Sequence, residues 1–280
     1  MKRASGGYGF GGTQFACGLI LALIVVGTFW QPIDPHRVDL GDRFAPPSPA
    51  HWLGTDHLGR DVASRLMAGA GPSLVAIAIG LAATLGAGIA AGLVIVFGGG
   101  IARFAVQRLA EAVLAVPTLI VALVLGALMG AGPVTAGLAL ALTAWAPYAI
   151  TTAALAERVM AEPYWRATLA IGAPIPMAAR RHLLPALAGP IRALAGADAG
   201  RAVLLVAALG FLGLSADTGR PDWGAMIHEY RLHALMRPLL LIAPIAAIAV
   251  LSLALHLALD AQDNRAPAAA GRSRLLRPRR

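Results

Sequence analysis

Five of the seven histidines, at positions 36, 51, 57, 228 and 233, fall near carboxylates in two stretches that also hold aspartate, glutamate and arginine. Imidazole with carboxylate is a ligand chemistry suited to nickel and similar metals. The spacing argues against a metallohydrolase: His228-Glu229 is followed by His233 at i,i+5, not the i,i+4 of H-E-x-x-H, so the imidazoles leave a common helical face. A loop histidine is more often solvated than ligating, and no metal ligand is assigned in this chain. Lys2 is the only lysine, which excludes a phosphate-binding G-x-x-x-x-G-K-[ST] loop. Cys17 is the only cysteine, which excludes an internal disulfide and a cysteine-based zinc site. Glu111 follows Arg108 by one helical turn and reads as half of a structural pair rather than a proton relay. No nucleophile stands beside a base, so no catalytic residue is assigned.

Two other segments have the residue types and spacing of working parts. The run Leu53-Gly54-Thr55-Asp56-His57-Leu58-Gly59-Arg60-Asp61 precedes a long apolar stretch. Asp56 fits an N-cap, Leu58, Val62 and Leu66 form an apolar stripe, and Asp61 can pair with Arg65. This predicts a short helix at the membrane surface, for which a capped helix with solvated charges accounts as well as a functional role does. The second segment, Thr151 to Arg192, is a long connection punctuated by Gly172, Pro174, Pro176, Pro185 and Pro190. Pro174 and Pro176 suit the first turn of a helix running toward Arg181, with Leu184-Pro185 closing it. Such a helix is a dock for a partner or simply an interfacial helix.

The elements that carry these segments are membrane helices. Of 280 residues, 58% are hydrophobic and 13% charged, and the mean hydropathy is +0.71; soluble domains have about 45–50% apolar and about 25% charged residues. The pI near 11.1 would fit a nucleic-acid binder, but the arginines lie between apolar runs. Stretches long enough to span run from Ala4 to Ile33, Leu66 to Ala102, Ala112 to Ala156, and Pro238 to Leu259. The third divides at Gly130, Gly132 and Pro133, and a further span covers about Ala193 to Ser215, with Asp198 and Arg201 pairing and snorkelling at its start. Pro117, Pro147 and Pro244 are candidate kinks. Six spans put both termini on one side. Sixteen of the 23 basic residues then lie on the side of Lys2, Arg3 and the Arg265 to Arg280 tail, which predicts cytoplasmic termini. The first span reads as an uncleaved anchor, since no small-x-small cleavage site follows Trp30. The expected organisation is an anchor helix and the start of an external loop over 1–50, a transmembrane domain over 51–260, and a basic cytoplasmic tail over 261–280.

Four motifs carry a resemblance. Gly172, nine residues, then His182-Leu183-Leu184-Pro185 resembles the second half of the EAA loop of ABC-importer permeases, with Arg166-Ala167-Thr168 where Glu-Ala-Ala is usual. Arg181-His182 before Leu-Pro is similar to the form found in the dipeptide, oligopeptide and nickel branch. The run from Leu53 to Asp61 resembles the LGTDxLGRD signature of the second permease subunit of that branch. Phe211-Leu212-Gly213-Leu214, followed by Ser215 in place of a glycine, and Asp222-Trp223-Gly224-Ala225-Met226-Ile227 are similar to its FLGLG and EWGxM segments. His51-Trp52 before the signature and Ser64-Arg65-Leu66-Met67 after it look most like nickel permeases.

The resemblance implies an all-α polytopic membrane protein with the type I ABC-importer permease fold, in a bacterial-type inner membrane. It implies a heterodimer with a second permease subunit, two cytoplasmic ATPase subunits and an extracytoplasmic binding protein, with lipid around the spans and no nucleic acid. No cofactor is expected on this chain, ATP and Mg belonging to the ATPase subunits. Nickel, a metal chelate or di- and oligopeptides are the implied cargo. The implied ATPase-coupling residues are Arg166, Ala167, Gly172, Pro174, Arg181, His182, Leu184 and Pro185; the implied periplasmic motif is Leu53, Gly54, Thr55, Asp56, Gly59, Arg60, Asp61, Asp222, Trp223 and Gly224. The rival class is a proton- or ion-coupled secondary transporter, which would want intramembrane carboxylates and two related halves.

Overall fold

The computed structural model describes residues 10–214 and 221–260. Eleven α-helices follow in chain order among them: α1 Phe10–Phe29, α2 Val62–Ala68, α3 Ala70–Phe97, α4 Gly100–Leu114, α5 Thr118–Met129, α6 Pro133–Ala161, α7 Pro163–Ala170, α8 Ile175–Ala178, α9 Leu184–Phe211, α10 Trp223–Tyr230 and α11 Pro238–Asp260. Extended pairing among the described residues is one isolated bridge between Thr55 and Asp61. Backbone groups in hydrocarbon have no water to bond, so helices close their own hydrogen bonds and the fold is all-α.

Among the described residues four helical stretches, not the expected six, are long and apolar enough to cross a membrane: Val62–Phe97, Pro133–Ala161, Ile175–Phe211 and Pro238–Leu259. The expected third span differs. Pro117 has no N–H and sits in an extended conformation, so α4 ends at Leu114, α5 begins at Thr118, and the two meet at 88°. The expected first span contributes the shorter apolar helix Gln14–Phe29 to the described structure. The expected start of the fifth span also moves. Helix α9 begins at Leu184, because the Ala- and Leu-rich segment before the charges is itself helical, and Asp198 and Arg201 lie inside the helix instead of at its start.

Helices α3 and α6 approach through small residues. A Cβ at Gly88 would fall 2.4 Å from Tyr148 Cβ and 2.8 Å from the Trp145 carbonyl, and one at Gly92 would fall 2.5 Å from Thr152 Cβ. Gly80 meets Leu140 in the same way, and Gly137 returns the favour from α6 toward the Ala76 carbonyl of α3. Gly80, Thr84, Gly88 and Gly92 recur every four residues, one face of a helix, and without a hydrophobic drive in lipid such close contact is what holds spans together. Helix α9 is central: 56% of its apolar stretch is buried, against 28% for those of α3 and α11. Gly196 and Gly200 seat it on α11 at His256 and Ser252.

The chain thus has two ends. One carries residues 30–61, α2 and α10; the other carries the α6–α7 corner, α7 and α8. Gly88→Val should cost about 1–3 kcal/mol by overpacking. Thermal unfolding of the detergent-purified protein should show the loss, whereas Gly86→Val, where a Cβ meets nothing within 4 Å, should leave the midpoint nearly unchanged.

Candidate functional site

At the first end the Leu53–Asp61 run is a tightly crossed loop. Gly54 and Gly59 hold φ of +75° and +73°, and a Cβ would fall 2.5 Å from the Ala45 carbonyl oxygen at Gly54 and 1.7 Å from that of Asp39 at Gly59. Only glycine allows both the conformation and the approach. The Thr55 hydroxyl donates to the Asp42 carbonyl and accepts the Ala45 N–H at 2.8 Å, joining the two arms of the loop. Leu53 packs against the apolar core of α2, α3, α9, α10 and α11.

Asp56 is fully buried and gathers donors: the N–H groups of Leu58 at 2.8 Å and Arg60 at 3.0 Å, Arg60 Nε at 2.7 Å and the Tyr230 hydroxyl at 3.1 Å. Arg60 reaches on to Glu229 at 2.5 Å, and Arg65 lies 3.8 Å from Asp56 and 3.5 Å from Glu229. Two carboxylates, two guanidiniums and one phenol clamp the loop and α2 onto α10. Burial alone would raise the Asp56 carboxyl, but the Arg60 charge and the two backbone donors outweigh it and hold it below the ordinary value. Burial followed by the nearby Arg60 and His233 lowers the His57 pKa, against the pull of Asp56 and Glu229.

Two expectations are corrected here. Asp56 caps its own turn and not the helix: Asp61 is the N-cap of α2, accepting from Ser64 N–H at 2.8 Å. Asp61 pairs with His51 Nδ1 at 2.9 Å and not with Arg65, because Arg65 sits on the face of α2 turned toward α10 and its carboxylate. The Asp222-Trp223-Gly224 motif completes the clamp. Asp222 caps α10 through Gly224 and Ala225 N–H, at 2.7 and 3.2 Å, and Trp223 Nε1 donates to the Leu66 carbonyl at 2.8 Å. A Cβ on Gly224 would strike the Ala207 carbonyl at 2.0 Å, so glycine lets α10 lie on α9. His228 donates to the Phe211 carbonyl at 2.6 Å, tying the 211–214 motif to the same body; Ser215 lies outside the described residues.

Ligand atoms of Asp56, His57 and Glu229 lie within 4.8 Å of one another, as in a metal site. Both carboxylates already hold guanidiniums, so the charges balance and a divalent ion would have to displace Arg60. The cluster is a structural clamp. Glu229 and Tyr230 were missed in the sequence, since their partners are 169 and 174 residues away.

At the opposite end α7 and α8 form a knob. Helix α7 is terminated past its last residue by Gly172, φ +85°, with Ala173 N–H reaching back to the Thr168 carbonyl at 3.3 Å. Pro174 caps α8. Trp165 is buried among Val159, Ala178, Leu183 and Leu187, and Thr168 Oγ1 lies 3.0 Å from His182 Nε2, so the knob is fastened to the bundle. Arg166, Ala167, Gly172, Arg181, Leu184 and Pro185 are exposed, beside the apolar Ile171, Ile175 and Met177. Leu184-Pro185 does not close the helix as expected. A π-turn over Ala179–Leu183, in which Leu184 N–H bonds the Ala179 carbonyl, absorbs the missing N–H of Pro185, and α9 continues from there. Trp165 and Thr168 are the residues sequence reasoning passed over; a lone tryptophan in a charged loop was the available signal.

Asp56→Asn should destabilise the first end by about 3–5 kcal/mol, since it leaves buried arginine charge uncompensated. Limited proteolysis within residues 30–61 of the purified protein should report it. The depressed Asp56 pKa makes its contribution complete above the unfolded value and lost only as the pH falls below about 3.8. The lowered His57 pKa makes stability fall as the pH drops below about 6.5, where the unfolded chain takes up the proton first. Melting curves at pH 7.5 and 5.5 should show that slope, and His57→Asn should flatten it.

The family described as "Binding-protein-dependent transport system inner membrane component" matches residues 60–266. The nickel transport system permease protein NikC of Escherichia coli strain K12 is 35% identical over 247 residues, covering 86% of this chain and 88% of that one. The probable D,D-dipeptide transport system permease protein DdpC of the same strain is 32% identical, covering 78% and 73%. The glutathione transport system permease protein GsiD of Pectobacterium atrosepticum is 30% identical, covering 86% and 82%. The motifs, the helical bundle and these relatives agree: the chain belongs to the inner-membrane components of binding-protein-dependent transport systems, as a permease subunit of an ABC importer in the nickel and dipeptide branch.

Proposed function

We propose that this permease pairs with a second permease subunit and moves nickel, a metal chelate or di- and oligopeptides from a periplasmic binding protein into the cytoplasm, driven by ATP hydrolysis on two separate cytoplasmic ATPase subunits that hold the ATP and Mg. The observation that carries the reading is the α7–α8 knob, an exposed apolar surface on a rigid mount. Ile171, Ile175 and Met177 present side chains to be covered, while Trp165 and the Thr168–His182 contact keep the knob from swinging independently. A coupling element must do both: bind the motor and transmit its displacement to the spans. Arg166 stands where an acidic residue is usual in the family, so the coupling contact from this position is to an acceptor on the ATPase subunit.

The charge bias supports cytoplasmic termini and hence a cytoplasmic knob and an external clamp, although Lys2, Arg3 and the 261–280 tail lie outside the described residues. Asp56, Arg60, Asp61, Asp222 and Trp223 are buried, which makes them the frame of the rim that receives the binding protein. The nickel, D,D-dipeptide and glutathione systems of the relatives support the cargo classes. An ion-coupled carrier finds less support: the buried Asp198 is tied to Arg201 at 2.9 Å.

Gene-dependent uptake of radiolabelled nickel, competed or not by mixed dipeptides, tests the cargo; it should be stopped by orthovanadate and should survive an uncoupler. Gly172→Val adds about 1–2 kcal/mol of left-handed strain at the knob. Uptake and cargo-stimulated ATPase activity should fall together while membrane insertion persists, and unchanged ATPase stimulation would refute the coupling assignment.

A further inference from the structure

Two fastenings hold the crossed loop before α2 against the turn that follows α10, and acid acts on them differently. The first is the ionic clamp. Burial works against the Asp56 charge, but Arg60 and two backbone donors hold its carboxyl below the ordinary value, and guanidiniums keep their protons, so Asp56 and its arginines stay ionised between pH 7.5 and 5. The second is a stack of rings. His57 of the loop lies over His233 of the 3-10 turn Arg231–His233, with centroids 5.3 Å apart and planes 26° from parallel. Phe44, on the other arm of the loop, meets His233 edge-on at 5.0 Å, and Tyr230 meets His57 edge-on at 6.2 Å. Histidine is the side chain whose charge ordinarily changes between pH 5 and 8. Two of these four rings can therefore become charged at the place where the loop and the turn touch.

The stack suits neutral imidazoles and not imidazolium ions. His57 Nδ1 is sealed from solvent and has no hydrogen-bond partner among the described residues. A lone pair is tolerated there, whereas a proton would be a buried donor without an acceptor. With both rings protonated, two positive charges face each other at 5.3 Å, which favours separation by about fourfold at the dielectric of water and by more where the rings are half-buried. The neighbouring charges are divided. Burial is the largest influence on His57 and opposes its proton; Asp56 in the loop and Glu229 on α10 favour it, Arg60 and His233 oppose it, and the balance lowers its proton affinity. Arg43 adds positive charge from the loop's other arm, its Nε donating to the His57 carbonyl at 2.7 Å. Arg65 of α2 faces the two carboxylates, and His51 is engaged with Asp61. On the far side Arg231 turns to the His228 carbonyl, His228 to the Phe211 carbonyl, and Arg237 follows His233 by one turn.

We propose that the His57–His233 stack is an acid-released latch of the external rim: protonation parts the loop from the Arg231–His233 turn while the Asp56 clamp keeps it attached, and the loosened rim lowers uptake. This rests on the permease reading and on the external placement of this end, and it adds a response to the acidity outside. The sign follows from the geometry. The parted rings take up protons more readily than the stacked ones, so the latch is closed above about pH 6.5 and yields as the pH falls below it.

The test places nitroxides at Leu40→Cys and Leu235→Cys, both exposed positions on the two sides of the stack, in a Cys17→Ala background of the full chain, and measures their separation by pulsed electron resonance at pH 7.5 and 5.5. The parted population should rise about fourfold or more at pH 5.5. His233→Phe, which keeps a ring in the stack but cannot be charged, should hold the pH 7.5 distribution at both values, and His233→Arg should show the parted distribution already at pH 7.5. An unmodified chain with the same distribution at both pH values overturns the latch, as does a His233→Phe variant that responds like the unmodified chain. In cells, uptake of radiolabelled nickel and of labelled dialanine is compared between His233→Phe and the unmodified chain at each external pH, so that acid effects on other components cancel. The ratio should be near one at pH 7.5 and about threefold or more at pH 5.5. A ratio that stays at one while the spin labels part overturns the control of uptake. If neither cargo is carried, the cargo reading fails, and the spin-label distances, which need no cargo, still decide whether the latch exists.

Discussion

Close approach of helix backbones is the constraint on which everything else in this molecule rests. In lipid the apolar surface of a span gains little by turning toward another span, so cohesion comes from contact distance. Gly80, Gly88 and Gly92 on α3 and Gly137 on α6 bring two helices within reach of each other's carbonyls, and Gly196, Gly200, Gly210 and Gly224 do the same around α9. The seams fix how α3, α6, α9 and α11 are rotated. Rotation in turn decides which side chains face the interior and which are left open.

The two ends are built on different chemistry for different tasks. The first is ionic and closed: Arg60 bonds both Asp56 and Glu229, Tyr230 is an added donor, and Arg65 contributes its charge from 3.5 and 3.8 Å. Such a network is poor adhesive for its desolvation cost, but it admits one arrangement only, which suits the proposed role of this end as a rim for a binding protein. The second end is apolar and open. Its side chains await a covering surface, and the rigidity lies one layer beneath, in Trp165 and the contacts around it.

Much of this was legible in the sequence. Apolar run length located four of the six expected spans, while the first is a shorter helix and the third a bent pair, and the Leu53–Asp61, Gly172–Pro185 and Asp222–Gly224 motifs named the segments that now stand at the two ends. The details that escaped were those in which one residue's role is decided by a distant one. Asp56 has the composition of an N-cap, and only the arrival of Tyr230 and Arg65 from α10 and α2 shows it to be the hub of a clamp. Helix limits escaped for a related reason. Pro117 stops a helix and Pro185 does not, although both are prolines in apolar surroundings, because the turn before Pro185 widens to spare its missing hydrogen bond and the turn before Pro117 does not.

That widened turn gives the transporter a setting for the angle of its knob. A π-turn holds one residue more than the α-turn it replaces, and one residue of an α-helix subtends about 100°. The turn over Ala179–Leu183 therefore offsets the face presented by α8 from the face continued by α9. Loss of a single residue there would keep both helices and both surfaces intact yet point the knob sideways. In lineages of such permeases, the length of this five-residue segment should thus be held more strictly than its composition, since it is a clocking element whose function is carried by count.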